Sequence, residues 1–304
     1  MSDDLGVLDH DPYVVLDPRF AECVVAGGKA ERLWTGGTWV EGPVWFDDWG
    51  HLIWSDIPNN RMLRWDEVDG RVTLFRQPAL GANGNTQDRD GRLVTCEGSA
   101  RRITRTGADG GVTVLATGFQ GKRFNAPNDV VVRSDGTIWF TDPSYGGPDY
   151  QGSLEMDGCH VYRLDPATGT VTRLTQDMVM PNGLAFSLDE TELFVVDTGS
   201  SLGPGNPNHI RRFGVNPDAT LSGGAVFCTS TAQAFDGIRF DADHRLWCSE
   251  SDGAHCYAMD GTLIGKVLLP EPAANLCFGG GAAGSLFMTA TTSLYRVPIN
   301  THRP

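Results

Sequence analysis

The chain has 304 residues, with 38 glycines, 17 prolines, 40% hydrophobic residues and a formal net charge of −14. This length suits a single closed all-β domain, and the apolar content suffices for its core. The acidic balance argues against nucleic acid and against an anionic membrane surface, because like charges repel. No segment approaches the roughly 20 apolar residues of a membrane-spanning helix. We therefore predict no nucleic-acid partner and no membrane.

The N-terminal segment MSDDLGVLDHDP is acidic and has neither the basic start nor the apolar stretch of a secretory signal peptide. Seven cysteines are scattered without CxxC spacing, and Cys96, Cys248 and Cys277 fall within apolar runs. This pattern favours reduced, buried thiols over a disulfide framework. We expect a cytoplasmic protein.

From Glu41 onwards the chain repeats one short pattern six times. Each repeat opens with a strand, passes a turn and continues into an apolar strand; the openings are EGPVWF, NGNTQD, NDVVVR, NGLAFS, DGIRFD and NLCFGG. Repeats of about forty residues with short strands and glycine-rich turns are typical of a β-propeller. The sequence therefore predicts a single all-β domain over 1–304, a six-bladed β-propeller with four-stranded blades.

The predicted blades follow the repeats in chain order: 41–78, 83–119, 125–178, 181–229, 235–270 and 274–299. The last repeat ends before its fourth strand, so we expect a strand from 16–40, either CVVAG or ERLWTG, to complete it. Such closure by the N-terminal segment removes an exposed sheet edge. Blades three and four carry the insertions PSYGGPDYQGSLEMDG and TGSSLGPGNPN, and long loops in compact domains are often functional.

The first residue of each repeat carries a side-chain oxygen, and in a propeller these positions surround the central axis. These ring residues are Glu41, Asn83, Asn128, Asn182, Asp236 and Asn275. Polar side chains that converge on a tunnel must bind water, each other or an ion. Carboxylates and amides without His or Cys suit Ca²⁺ first, with Mg²⁺, Mn²⁺ and the less natural Zn²⁺ as alternatives. A water-filled tunnel is the other interpretation.

The second strand of each repeat returns to the ring face, and in five repeats it ends on a carboxylate. These residues are Asp56, Glu97, Asp142, Asp197 and Glu250. Either they accept hydrogen bonds from loop backbone, or they orient metal ligands and contact a polar substrate. Three histidines begin third strands on the same face, and each is either structural or substrate-binding; they are His160, His209 and His255.

Six longer segments occur in order and at fitting spacing: EGPVW, GKRFNAPNDVVV, GTIWFTDPSYG, MPNGLAFS, ELFVVDT and FDGIRFD. Through them the chain resembles the gluconolactonase, regucalcin (senescence marker protein) and luciferin-regenerating enzyme family of six-bladed propellers. The resemblance implies one divalent cation, held by Glu41, Asn128, Asn182 and Asp236. It also implies hydrolysis of sugar lactones, with Asp236 as the candidate general base. One departure is Ala126, where regucalcin-type members carry arginine.

A cation in the ring would polarise a lactone carbonyl and stabilise the oxyanion that forms as water attacks. We expect a small-molecule lactone substrate and a monomeric or homodimeric enzyme. The predicted substrate-binding residues are Asn83, Glu97, Asp142, Tyr145 and His255. The alternatives are a phosphotriesterase or arylesterase, a non-catalytic calcium-binding propeller, and a metal-free propeller like strictosidine synthase.

Overall fold

The computed structural model describes residues 5–145, 153–281 and 284–301. Six antiparallel sheets of four core strands are arranged in a ring, which confirms the predicted six-bladed β-propeller. The ends of the predicted domain, at 1–4 and 302–304, and part of the blade-three insertion, at 146–152, lie outside the described residues. Within the described residues, no helix is long and apolar enough to cross a membrane.

Blades one to three are antiparallel sheets that run in chain order from the innermost strand outwards. Blade one consists of Val40–Phe46, His51–Asp56, Arg61–Asp66 and Val72–Arg76. Blade two consists of Ala82–Gln87, Leu93–Glu97, Arg102–Thr106 and Val112–Ala116. A ribbon of Gly118–Phe119 and Lys122–Arg123 leads to blade three, which consists of Val130–Val132, Ile138–Asp142, His160–Asp165 and Thr170–Arg173.

Blades four to six repeat this arrangement. Blade four consists of Pro181–Phe186, Glu192–Asp197, His209–Val215 and Leu221–Thr229. Blade five consists of Ile238–Phe240, Leu246–Glu250, Gly253–Tyr257 and Leu263–Leu268. The C-terminal part of the chain supplies three strands of blade six, Ala273–Gly279, Ser285–Ala290 and Ser293–Pro298. Short 3₁₀ helices are formed by Pro18–Cys23, Asp47–Trp49 and Gly199–Leu202.

The N-terminal segment joins the ring at two places. Glu31–Thr35 pairs with Ser293–Pro298 and becomes the fourth strand of blade six, so ERLWTG and not CVVAG is the closing segment. Gly6–Val7 adds a short edge to this strand. Tyr13–Val15 pairs with Leu263–Leu268 as a fifth strand of blade five, a contact that the sequence analysis did not predict.

The apolar core is divided among the junctions between blades. The described residues form six buried clusters, one at each junction. Second strands contribute fully buried tryptophans, such as Trp139 and Trp247, and the helix Pro18–Cys23 adds Phe20 at the junction of blades five and six. The core therefore surrounds the tunnel and leaves the polar ring residues at its inner margin.

Candidate active site

The ring residues lie at irregular positions at the start of the innermost strands. In blades one, two and four the pairing register shifts around Glu41, Asn83 and Asn182. In blades three and five, Asn128 and Asp236 come just before the first paired residue of the strand. An extra residue in a strand bends it and re-aims the side chains at that point. In blade six the register shifts between Ala273 and Asn275, so local strand irregularity accompanies all six ring positions.

Glycine follows four of the ring residues and lets neighbouring inner strands approach closely; these glycines are Gly42, Gly84, Gly183 and Gly237. A Cβ atom on Gly42, whose φ is 54°, would lie 2.1 Å from the carbonyl oxygen of Asn83. A Cβ atom on Gly183 would lie 2.3 Å from the carbonyl oxygen of Asp236, which accepts a hydrogen bond from the Gly183 N–H at 3.0 Å. A side chain at either position would push the blades apart. The sequence contains this pattern, but its role was not predicted.

Glu41 is 4% exposed, and one oxygen of its carboxylate is held by two donors. Its Oε2 accepts hydrogen bonds from the Gly42 N–H at 2.8 Å and from Asn275 Nδ2 at 3.0 Å. Asn275 Oδ1 in turn accepts from the Leu276 N–H at 2.8 Å, which fixes the direction of the amide. Because both contacts use Oε2, the carboxylate is oriented while Oε1 remains available to a ligand.

Asp236 and Asn182 are neighbours across the junction of blades four and five. Burial raises the pKa of the Asp236 carboxyl well above its usual range, the charges of Glu41 and Asp129 raise it further, and the Asn182 side chain opposes the shift. Burial also raises the pKa of Glu41, with a further contribution from Asp129. Buried carboxylates that repel each other are stabilised by a cation between them. The electrostatics of the ring therefore favour a positively charged ligand.

An ion pair crosses the tunnel next to the ring. Asp129 follows Asn128 and is 1% exposed, and Arg239 follows Asp236 by three residues. Arg239 contacts both carboxylate oxygens of Asp129, with its two terminal nitrogens at 3.1 and 3.4 Å. The pair connects the inner strands of blades three and five, which are not adjacent. Sequence reasoning missed it, although an arginine within an innermost strand was an available signal.

A cavity of about 850 Å³ lies at the other end of the innermost strands. Its lining includes Trp45, Phe186, Phe278 and the guanidinium-bearing Arg239, but none of the six ring residues. This cavity is therefore separate from the ring residues. The candidate site is at the ring, because the buried carboxylates converge there.

Tyr145 lies on the solvent side of the ring residues. The residue is 42% exposed, yet the surroundings of its hydroxyl raise its pKa to about 12. Burial of the hydroxyl is the main cause and the Asp236 charge adds to it, while Ser201, Thr198 and Asn182 oppose it. The structure therefore brings Tyr145 next to Asp236 and Asn182. Of the other ring residues, Asn83 is half-buried, and its carbonyl accepts a hydrogen bond from the Ser55 hydroxyl at 2.8 Å.

Glu97 and Asp142 are enclosed by their neighbours. Glu97 is 1% exposed and binds Arg102 Nε at 2.6 Å and Arg76 at 3.2 Å. Asp142 is fully buried and accepts a hydrogen bond from the Asn125 N–H at 2.8 Å. Burial raises the pKa of Asp142 to about 7. In this arrangement neither carboxylate faces solvent, and their contact with substrate stays a prediction.

Asp197 and His255 are also held by neighbouring groups. Asp197 accepts hydrogen bonds from the backbone N–H groups of Val179 and Met180 at 2.9 and 2.8 Å. His255 is fully buried, and its Nε2 lies 2.6 Å from Asp252 Oδ1. These contacts favour the interpretation in which such side chains hold loops in place. A role for His255 in substrate binding stays a prediction.

The residues present fit a divalent cation. Among the described residues, no group of three or more His, Cys, Asp and Glu side chains forms a metal site. The predicted donor set is of another kind, with two carboxylates, Glu41 and Asp236, and two amide oxygens, from Asn128 and Asn182. Hard oxygen donors of this type suit Ca²⁺ or Mg²⁺, and the orientation of Glu41 leaves one oxygen for such an ion.

Comparison with known proteins places this arrangement in a family. The family model described as SMP-30/Gluconolactonase/LRE-like region matches residues 39–292, which include all six innermost strands. The chain belongs to this family.

Several known proteins resemble the chain over most of its length. A gluconolactonase of Zymomonas mobilis is 31% identical over 312 aligned residues, which cover 93% of this chain and 85% of that protein. The pentonolactonase XacC of Haloferax volcanii is 27% identical over 259 residues, 82% of this chain and 80% of its own. The solved structure of the gluconolactonase XC5397 from Xanthomonas campestris has a TM-score of 0.89 at 34% identity and covers 97% of each chain.

Proposed function

We propose that this protein is a divalent-cation-dependent hydrolase that opens sugar lactones such as gluconolactone. The main support is the pair of neighbouring carboxylates, Glu41, which is buried, and Asp236, which is partly buried, with Asn128 and Asn182 around one tunnel. A gluconolactonase and a pentonolactonase are among the relatives of this chain. A scaffold protein needs no such cluster, because buried like charges oppose folding.

In the proposed mechanism Glu41, Asn128, Asn182 and Asp236 would hold one cation, with Ca²⁺ preferred. When bound, such a cation polarises a carbonyl group and stabilises the developing oxyanion. Asp236 accepts a proton from the attacking water. It then donates this proton to the alkoxide oxygen that leaves as the lactone ring opens. The product is a single molecule, the aldonic acid, which carries both the new carboxyl group and the freed hydroxyl group.

The substrate approaches from the side of Tyr145. This side chain is partly exposed, and its hydroxyl lies next to Asp236, so it is suited to contact a sugar ring that binds at the ring residues. Asn83 is the other half-buried candidate on the ring. Glu97, Asp142 and His255 are the other residues that we propose for substrate binding, and their contacts also hold neighbouring segments in place. The free state of all seven cysteines supports a location in the reducing cytoplasm.

A hydrolysis screen tests the proposed function. Aldonolactones, aryl esters and phosphotriesters are compared by pH-stat titration, with protein before and after treatment with a chelator. We expect aldonolactones to be hydrolysed fastest, activity to disappear with chelator, and added Ca²⁺ to restore it. Hydrolysis that is indifferent to chelator would contradict the metal dependence. Faster turnover of aryl esters or phosphotriesters would assign the site to that chemistry instead.

A further inference from the structure

The hydroxyl of Thr198 joins two of the ring residues. Thr198 follows the second strand of blade four and is 6% exposed. Its Oγ1 accepts a hydrogen bond from Asn182 Nδ2 at 3.2 Å and donates one to the carbonyl of Phe235 at 2.8 Å. Phe235 directly precedes Asp236. One hydroxyl therefore contacts a predicted ligand and the peptide that carries a second one.

These contacts determine which way the Asn182 amide faces. A threonine hydroxyl has a single proton, and a backbone carbonyl can only accept. Because the proton of Thr198 is directed to Phe235, the hydroxyl can only accept from Asn182 and must face its NH₂ group. The Oδ1 atom of Asn182 then points away from Thr198, and oxygen is the atom that an asparagine offers to Ca²⁺.

The backbone of Thr198 holds the loop independently of its side chain. Its N–H donates to the carbonyl of Met180 at 3.0 Å, and its carbonyl accepts from the Ser201 hydroxyl at 2.8 Å. Neither bond uses the side chain of Thr198. A substitution at this position therefore tests the hydroxyl itself.

We infer that Thr198 is a positioning residue of the candidate metal centre, which orients the oxygen of Asn182 and ties it to the segment of Asp236. The inference rests on the proposed cation dependence, since it concerns the same ring. It assigns the hydroxyl a role that loop packing alone does not require. Partners that orient a metal ligand typically change metal affinity by about 10–100-fold when they are removed.

Two substitutions and a matched control test this inference. Thr198→Val removes the hydroxyl at nearly constant volume, and Thr198→Ser keeps it. Thr175→Val is the control, because Thr175 is 5% exposed and its hydroxyl accepts a hydrogen bond from the Val161 N–H at 3.0 Å in blade three. Calorimetric titration of chelator-treated protein with Ca²⁺ and Mg²⁺ measures the dissociation constant, and thermal unfolding measures stability.

We expect Thr198→Val to raise the dissociation constant by about 10–100-fold and Thr198→Ser to restore it. Thr175→Val should lower the unfolding temperature without changing cation affinity. Wild-type affinity in Thr198→Val, or equal weakening in Thr198→Ser, would overturn the inference alone. If the wild-type protein binds neither cation, both the proposed metal dependence and the inference about Thr198 are wrong. Should Thr198→Val not fold, Thr198→Ala is read by the same criteria.

Discussion

At the scale of single residues, four charged side chains determine the charge balance of the candidate site. The carboxylates of Glu41, Asp129 and Asp236 are close enough to repel one another, and the guanidinium of Arg239 forms an ion pair with Asp129. When all four are ionised, two negative charges remain uncompensated. A divalent cation would neutralise them, whereas a buried pair of unbalanced carboxylates destabilises the fold. The charge of the site therefore agrees with the proposed cofactor.

Replacement of Asp236 separates cation binding from proton transfer. In Asp236→Asn an amide oxygen can still bind a cation, but the side chain no longer accepts a proton. We expect the turnover number to fall by about 10²–10⁴-fold while cation binding stays measurable by calorimetry. A variant with near-normal turnover would show that the base lies elsewhere, with His255 as the next candidate to substitute.

Removal of Arg239 leaves the buried Asp129 carboxylate without its partner. We expect Arg239→Met to lower the free energy of unfolding by about 3–5 kcal/mol, as for other broken buried pairs. Arg19→Met is the control, because its ion pair with Asp260 is exposed and such pairs contribute little to stability. Urea denaturation compares the two, and equal losses would contradict a structural role for the pair across the tunnel.

Asp142 makes stability depend on pH. Burial raises its pKa from 3.8 to about 7, so between these values the folded protein holds a proton that the unfolded chain releases. The contribution of this group to stability is therefore complete below about pH 4 and is lost as the pH rises to about 7. We expect the unfolding temperature of the wild type to fall relative to that of Asp142→Asn across this range. Parallel curves in thermal unfolding at closely spaced pH values would refute the assignment.

At the scale of secondary-structure elements, the innermost strands determine how closely neighbouring blades approach each other. Glycine after the ring residue allows the backbone of one blade to hydrogen bond to the next, as Gly183 does with Asp236. The register shifts at the same positions turn the ring side chains out of simple alternation. The glycine and the register shift are both features of the innermost strand, and together they position the oxygen donors of the ring.

Substitution of Gly183 tests this close approach. In Gly183→Ala the new Cβ would lie 2.3 Å from the Asp236 carbonyl oxygen, so the inner strands of blades four and five must separate. We expect a loss of about 1–3 kcal/mol in stability together with weaker cation binding. Gly281→Ala is the control, because nothing lies within 4 Å of a Cβ there. Unchanged unfolding temperature and affinity in Gly183→Ala would show that the contact is not needed.

At the scale of the whole molecule, closure of the ring depends on the N-terminal segment. Glu31–Thr35 completes blade six, while Tyr13–Val15 only adds an outer strand to blade five. The closing strand removes an unpaired edge between the two ends of the ring. The two N-terminal strands should therefore differ in their importance for stability.

Two truncations test this difference. Removal of residues 1–15 deletes the outer strand, and we expect a modest decrease in unfolding temperature. Removal of residues 1–35 opens blade six, and we expect loss of cooperative unfolding because the ring is no longer closed. Differential scanning calorimetry of both forms gives the comparison. Cooperative unfolding at the same temperature in the longer truncation would contradict this account of closure.

The amino-acid sequence by itself determined the number of blades, the ring positions and the carboxylates that end the second strands. These features follow from a short repeat, in which position within the unit specifies position in the blade. It left open whether CVVAG or ERLWTG closes the ring, because both segments are strand-like and only pairing with Ser293–Pro298 distinguishes them.

The tertiary structure alone decided which side chains support the ring. Asp129 and Arg239 are 110 residues apart, and Thr198 reaches Phe235 across 37 residues. No local pattern indicates such pairs, because their partners meet only when separate blades pack around one tunnel. The repeat therefore specifies where the donors of the site lie, and the closed ring brings together the residues that orient them.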